Sequence, residues 1–184
     1  MSGAVWFTSD LHFGHRLVAG HRGYEDPVEH DMAVRANWND VVRPQDQVWV
    51  LGDLTLSNPT RALNLVATLP GVKHFICGNH DPCHPMHRDS HKWQRRYMEV
   101  FDSVQPFARR KIAGQAVLLS HFPYSKDRHE ARYMQYRLRD EGEWLIHGHT
   151  HGPERREGRE IHVGLDAWDL RPVHISTIER LMSE

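Results

Sequence analysis

The stretch VWFTSDLH, residues 5–12, is an apolar run that ends in a carboxylate and an imidazole two positions apart. Its β-branched and aromatic side chains predict a short buried strand. The arrangement recurs, because an apolar run at 47–51 precedes Asp53 and another at 73–77 precedes Asn79. Loops at the carboxyl ends of parallel strands gather at one edge of a sheet, where ligand sites are expected. The repetition therefore predicts both a sheet and a site beside it.

Helical patterns separate these three strands. Residues 29–42 place apolar side chains at helical spacing and are followed by Pro44. Residues 59–69 begin with a proline and end before Pro70 and Gly71, which are typical boundary residues of a helix. An order of strand, helix, strand, helix, strand predicts βαβ units and a sheet that starts out parallel.

The second half of the chain predicts further strands with a different connection. Residues 104–112 and 115–119 flank Ala113 and Gly114, a pattern that predicts a β-hairpin. Other strands are predicted at 144–147, 160–164 and 173–175, a loop plus helix at 125–143, and a last helical turn capped by Ser176. The predicted fold class is α/β with α+β character, a sandwich of mixed β-sheets flanked by helices, in a single domain over residues 1–184.

Composition excludes several classes of protein. The chain has 184 residues and a formal net charge of -1, so no global field attracts it to nucleic acid or to a membrane. Cys77 and Cys83 are too few for a disulfide scaffold. With no apolar run long enough for a transmembrane helix and no signal peptide, we expect a cytoplasmic protein without a membrane partner. The 16 histidines are an excess, and histidine is the commonest metal ligand.

Polar ligand groups occur in five clusters, each just after a predicted strand. They are Asp10 with His12, Gly52-Asp53, Gly78-Asn79-His80-Asp81, Ser120-His121, and Gly148-His149-Thr150-His151. In an extended backbone, residues two apart point the same way, so each Asp-x-His or His-x-His pair could face one ion. Carboxylate, amide and imidazole donors suit Mn²⁺, Fe²⁺, Zn²⁺, Co²⁺ or Ni²⁺ better than Ca²⁺. Two such ions about 3.5–4 Å apart form a clamp for displacement at phosphorus.

The ordered clusters resemble the calcineurin-like metallophosphoesterase superfamily over residues 10–151. Residues 6–15 and 164–168 are similar to the small single-domain phosphoesterases of bacteria and their phages. The resemblance implies that Asp10, His12 and His151 hold a first metal ion. It further implies that Asn79, His121 and His149 hold a second, and that Asp53 bridges the two.

The resemblance also implies separate catalytic roles for the metal-bound water, His80 and Asp81. A water or hydroxide shared by the ions would be the nucleophile. His80 would bind phosphate and protonate the leaving alkoxide as general acid, and Asp81 would orient and charge His80. Ser120 stands where a glycine is frequent in this family, which is a mild departure because both residues are small.

Other polar residues leave alternatives open. His15 could contact substrate phosphate or have only a structural role. His147 and His162 fit packing in strands, while His84, His87 and His91 fit a polar rim. One basic stretch holds Arg88, Lys92, Arg95 and Arg96, and the other holds Lys126, Arg128, Arg132, Arg137 and Arg139 with Tyr133 and Tyr136 interleaved. Each stretch could be a solvated helix face or a collar around a nucleotide.

We therefore expect a dinuclear metal-dependent phosphodiesterase, with Mn²⁺ as the favoured ion. Its expected substrates are small nucleotide-type diesters such as 2′,3′-cyclic nucleotides, because a chain of this size leaves no room for a cap domain. A nuclease, with nucleic acid as partner, and a phosphomonoesterase or protein phosphatase are the enzymatic alternatives. A non-catalytic binding scaffold of the same fold is disfavoured, because such proteins typically lack ligands that this sequence retains.

Overall fold

The computed structural model describes residues 3–125 and 132–184. Within them, two mixed five-stranded sheets pack face to face and helices flank them, which confirms the predicted fold class. The strands are β1 Val5–Thr8, β2 Gln47–Val50, β3 Val72–Ile76, β4 Ser103–Gln105, β5 Phe107–Ile112, β6 Gln115–Ser120, β7 Trp144–His147, β8 Arg156–Glu157, β9 Glu160–His162 and β10 Val173–His174. The α-helices are α1 Arg16–His21, α2 Pro27–Val41, α3 Pro59–Ala67, α4 Ser90–Met98 and α5 Ile175–Ser183.

The first sheet has the order β10-β1-β2-β3-β4, and its strands are parallel except for β10. The second has the order β5-β6-β7-β9-β8, in which β6, β7 and β9 are parallel to one another. In the first sheet the parallel run follows from the predicted βαβ connections, since a helix returns the chain before the next strand begins. In both sheets these parallel strands direct their carboxyl ends towards the polar clusters.

Alternation along β2 explains the two cores. Val48 and Val50 face helices α2, α3 and α4, whereas Trp49 and the following Leu51 face the second sheet. The helix-side core also contains Trp38, which is fully buried and donates through Nε1 to the backbone oxygen of Pro70. The first sheet is thus covered on both faces, so its strands read as nearly continuous apolar runs.

The predicted strand at 104–112 is wrong as a single element. β4 ends at Gln105 and pairs with β3 in the first sheet, whereas β5 begins at Phe107 and pairs with β6 in the second. Pro106 stands between them and cannot donate a ladder hydrogen bond. The hairpin itself is confirmed, because Ala113 and Gly114 have φ of 47° and 80°, the two positive values that a tight two-residue turn requires.

Several smaller predictions need correction. Ser176 lies inside α5, and the cap is His174, whose Nδ1 accepts from the Ser176 backbone N–H. At 125–143 the described residues contain only a 3₁₀ turn, Met134–Tyr136, and residues 126–131 lie outside the described part of the chain. Short helices α1 and α4 were not predicted, since neither has a long periodic pattern.

His84, which the sequence places at a polar rim, is buried, and so is the neighbouring Cys83. His84 is 3% exposed and packs edge-on against the rings of Phe122 and Tyr136, so it is not a rim residue. Cys83 is fully buried, with its Sγ 3.2 Å from that of Cys77, and both are free thiols. The described helices include none long and apolar enough to cross a bilayer.

Candidate metal centre

The five polar clusters meet where the two sheets end. Asp10, Asp53 and Asn79 lie beyond β1, β2 and β3 of the first sheet. His121 and His149 lie beyond β6 and β7 of the second sheet. Because these strands run in parallel pairs within their sheets, their carboxyl ends bring residues more than a hundred positions apart into contact.

The backbone of the ligand loops is left-handed rather than extended. The φ angles are 59° at Asp10, 47° at His12, 55° at Asp53, 72° at His149 and 51° at His151. The predicted extended backbone, in which residues two positions apart would point towards one ion, is therefore wrong for these loops. Non-glycine residues adopt this conformation at an energetic cost and persist in it where surrounding contacts hold them. Here the backbone N–H groups of Asp10 and His12 donate to Gly52 and Asp53 at 3.0 and 3.1 Å.

A first group consists of Asp10, His12 and His151, whose ligand atoms all lie within 4.8 Å of one another. Nε2 of His12 lies 3.0 Å from Nε2 of His151. Oδ1 of Asp10 lies 3.8 and 3.7 Å from these two nitrogens, and this buried oxygen has no hydrogen-bond partner among the described residues. Two facing imidazole nitrogens beside an unpaired carboxylate oxygen fit a divalent cation.

A second group consists of Asp53, His121 and His149, again within 4.8 Å. Nε2 of His121 lies 3.5 Å from Oδ2 of Asp53 and 3.2 Å from Nδ1 of His149. The same nitrogen is 3.1 Å from Oδ1 of Asn79, which adds an amide oxygen to the set. The histidines of Gly148-His149-Thr150-His151 thus belong to different groups, because the turn between them sends their rings apart.

Electrostatics within the groups favour cation binding. Burial lowers the pKa of His12 to about 3, so this imidazole is neutral, which is the form that binds a metal. Burial opposes a charge on His121, yet the Asp53 carboxylate outweighs it and raises the pKa of His121 to about 10. The buried Asp53 carboxylate thus favours positive charge at this point, which a bound cation would supply.

A second layer of contacts orients the ligand rings. His151 Nδ1 hydrogen-bonds to Oδ2 of Asp166 at 2.9 Å, and His121 Nδ1 to the backbone oxygen of Leu51 at 2.7 Å. Since these partners are acceptors, each Nδ1 carries a proton, and in the neutral imidazole Nε2 is the nitrogen that offers a lone pair to a metal ion. Arg22 donates to both oxygens of Asp166 at 2.9 and 2.8 Å, and to the backbone oxygen of Asp10 at 2.8 Å. Asp166 lies in the stretch 164–168, which contributes to the family resemblance. No sequence pattern predicts a role for Arg22 in the site.

His80 lies beside the second group. Its backbone N–H donates to Oδ1 of Asp53 at 3.0 Å, and its ring Nε2 lies 3.9 Å from Oδ2 of the same residue. The side chain is 40% exposed, so it can reach a molecule that enters the centre from solvent.

Asp81 has different partners from those expected. Its buried carboxylate accepts from the backbone N–H groups of Gly78, Asp53 and Leu54 at 2.7, 2.8 and 3.0 Å. It also accepts from the hydroxyl of Tyr97, and among the described residues no hydrogen bond joins it to the His80 ring. The structure therefore corrects the expected contact: Asp81 holds the turn that carries Asp53.

His15 lies at the edge of the first group, with its ring centroid 6.1 Å from that of His12. Its Nδ1 accepts from the backbone N–H of Val18 and so caps helix α1. His15 therefore has a structural role as a helix cap, and only its Nε2 is left to contact a substrate.

The second basic stretch is not a regular helix face in its described part. Tyr133 packs against Phe122 and His149, with ring centroids at 5.3 and 5.7 Å. Arg137 donates to the backbone oxygen of Pro123 at 2.9 Å, which ties this stretch to the loop that follows His121. Lys126 and Arg128 lie outside the described residues.

Comparison with known proteins gives this geometry a context. The chain is 47% identical to the Gene 66 proteins of Mycobacterium phages L5 and D29; the alignments cover 89% of this chain and 87% of the L5 protein, and 92% of both for D29. A solved structure, of a protein of unknown function from Aquifex aeolicus, has a TM-score of 0.74 at 26% identity and covers 97% of this chain and 99% of its own. Residues 4–164 match the family model of the calcineurin-like phosphoesterase superfamily domain, and the chain therefore belongs to that superfamily.

Proposed function

We propose that the protein is a dinuclear metal-dependent phosphodiesterase acting on small nucleotide-type diesters. The observation that carries the proposal is the pair of ligand groups, each of one carboxylate and two imidazoles, with His80 beside Asp53. Membership of the calcineurin-like phosphoesterase superfamily supports the reaction class.

The donor set fits two divalent transition metal ions. Oδ1 of Asp10, which has no hydrogen-bond partner in the described part of the chain, faces two imidazole nitrogens, and such a buried oxygen is costly unless a cation or donor satisfies it. In the proposal, Asp10, His12 and His151 hold one ion, while Asn79, His121 and His149 hold the other. Asp53, whose carboxylate lies against His121, would be a ligand shared by both ions. When bound, the ions would activate a water and offset charge that develops on the phosphoryl oxygens, and Mn²⁺ is the favoured ion.

His80 protonates the leaving oxygen in this proposal. The hydrogen bond from the His80 backbone N–H to Asp53 fixes the residue beside the centre. The ring remains partly exposed, so it can contact the ester oxygen of a bound substrate. Asp81 contributes by holding the Gly52–Leu54 turn, which positions Asp53 relative to His80. His15 presents Nε2 as a further donor to a phosphoryl oxygen.

The preference for diesters rests on access. We propose that the chain forms one domain with an uncovered centre, so a phosphate with two organic substituents can approach with both arms directed outwards. A nucleotide substrate also suits Tyr133, whose ring packs against His149, and Arg137, whose guanidinium lies over the adjacent Phe122 ring.

The decisive experiment compares bis(p-nitrophenyl) phosphate with p-nitrophenyl phosphate in the presence of Mn²⁺. We expect kcat/KM to be larger for the diester, and we expect activity to disappear with a chelator and return with added metal. A faster monoester would overturn the diester preference. Absence of turnover on both, with no metal bound, would overturn the enzymatic assignment itself.

A further inference from the structure

A cavity of about 360 Å³ opens beside His80 and does not form part of either ligand group. Its lining includes His80, Leu56, Pro59, Pro82, Arg88 and Trp93. The volume lies in the range of small-molecule sites, roughly 300–1,000 Å³. His80 is the one proposed catalytic residue among its lining residues in the described structure.

We propose that this cavity is the subsite for the leaving alcohol of the diester and that this alcohol carries a planar aromatic group, as a nucleoside does. The proposal rests on the proposed function, because it takes His80 as the acid. A general acid must lie within hydrogen-bond reach of the oxygen that it protonates. The substituent on that oxygen is then adjacent to His80, and the cavity is the space that His80 borders.

The chemistry of the lining favours an aromatic occupant. Pro59, Pro82 and Trp93 are half-buried apolar walls, and Leu56 is 40% exposed although it is a large aliphatic side chain. The Arg96 guanidinium lies over the Trp93 ring at 5.0 Å and holds the indole in place on one side. A nucleobase on the cavity side would complete this stack and cover the aliphatic surface.

The lining of the cavity also includes a cation. Arg88 is exposed and has no ion-pair partner among the described residues, whereas its neighbour Asp89 pairs with Lys92 at 2.8 Å. A guanidinium in this place can pair with a phosphate on the leaving nucleotide. The basic stretch that begins at Arg88 would thus act in part as a substrate contact, with the rest of it on the exposed surface of α4.

The first test uses two substrates that differ only in the leaving alcohol. Thymidylyl-(3′→5′)-thymidine and thymidine 3′-(methyl phosphate) both yield thymidine 3′-phosphate, which chromatography quantifies. We expect the wild-type kcat/KM ratio of dinucleotide to methyl ester to be roughly fivefold or more. Trp93→Leu should bring this ratio close to one and Trp93→Phe should retain most of it. Arg95→Ala, an exposed residue of the same helix outside the cavity, is the matched control and should leave the ratio unchanged.

A third substrate tests the cation. A dinucleotide with an added 3′-phosphate on the leaving nucleoside should be preferred over the one without it, and Arg88→Ala but not Arg95→Ala should remove that preference. Equal ratios in wild type and in both cavity variants would overturn the proposal. Since bis(p-nitrophenyl) phosphate reports phosphodiesterase activity independently, this failure is distinguishable from failure of the proposed function.

Binding can also be followed without turnover. In ¹⁵N-labelled protein with Zn²⁺, the Trp93 indole N–H resonance is identified by its loss in Trp93→Phe. Titration with thymidine should shift this resonance more than those of the other five tryptophans. A larger shift at Trp168, or saturation with no shift at Trp93, would overturn the proposal even if Trp93→Leu fails to fold.

Discussion

Asp166 accepts a hydrogen bond from Nδ1 of His151 at 2.9 Å, across a loop between the two sheets. This contact leaves Nε2 of His151 with its lone pair towards His12 and Asp10. Asp166 is in turn held by the buried side chain of Arg22, which lies near the other end of the chain. The ligand geometry of the first group therefore depends on a carboxylate outside that group.

Asp166→Asn should weaken metal binding while preserving the size of the side chain. Loss of an outer carboxylate that fixes an imidazole typically costs about 10–100-fold in affinity, and we expect this range for the first ion. Competition with a chromogenic chelator measures it. Asp169→Asn is the control, because Asp169 is a nearby exposed carboxylate. Equal affinities in Asp166→Asn and wild type would contradict the positioning role.

His80→Ala should lower the turnover of diesters to an extent that depends on the leaving group. Turnover of alkyl diesters should fall by about 10²-fold or more, because their alkoxides need a proton as they depart. Nitrophenyl diesters need little protonation and should lose far less, while metal content stays at the wild-type level. His91→Ala, on the exposed side of α4, serves as control. Equal losses on both kinds of ester would rule out His80 as the acid.

Asp53→Asn should impair metal retention rather than a single catalytic step. The substitution removes the charge that lies against His121 and halves the number of carboxylates in the two groups. Elemental analysis after gel filtration should show fewer ions per chain than in wild type. Asp40→Asn changes an exposed carboxylate paired with Arg171 and should retain the wild-type content. Full metal occupancy in Asp53→Asn would be inconsistent with a bridging role.

Asp46 should make stability depend on pH at a distance from the metal centre. Burial opposes its ionisation, but hydrogen bonds from the backbone N–H groups of Arg43 and Ala4 and from Trp6 Nε1 outweigh it and lower the pKa of Asp46. A lowered folded-state pKa contributes stability above the unfolded value near 3.9, and this contribution is lost as pH falls through the folded value.

Asp46→Asn should therefore unfold more readily at pH 7, by about 1–3 kcal/mol, because at least one buried donor loses its charged acceptor. The difference from wild type should shrink at pH values below the unfolded carboxyl pKa. Urea unfolding at both pH values, with a chelator present throughout, measures the effect. A difference that is constant with pH would show that the carboxylate charge does not contribute.

Parts of this structure were predictable because they depend on local pattern. The apolar runs at β1, β2, β3 and β7 identify buried strands, and the polar cluster after each one predicts that the site lies at their carboxyl ends. The division of residues 104–112 was not predictable from periodicity, since it depends on pairing with different sheets, although Pro106 marks the point of division locally. Burial of His84 and Cys83 likewise depends on neighbours that are distant in sequence.

The sequence by itself determined most of the order of strands and helices and the chemical identity of the candidate metal ligands, because hydrophobic period and residue type are local properties. The tertiary structure decided which of those side chains lie together in space. Left-handed turns at Asp10 and His149 and the packing of two sheets send His151 to Asp10 and His149 to His121. The same packing joins Arg22 to Asp166 across the chain and forms the cavity beside His80, and no local pattern records contacts between residues so far apart.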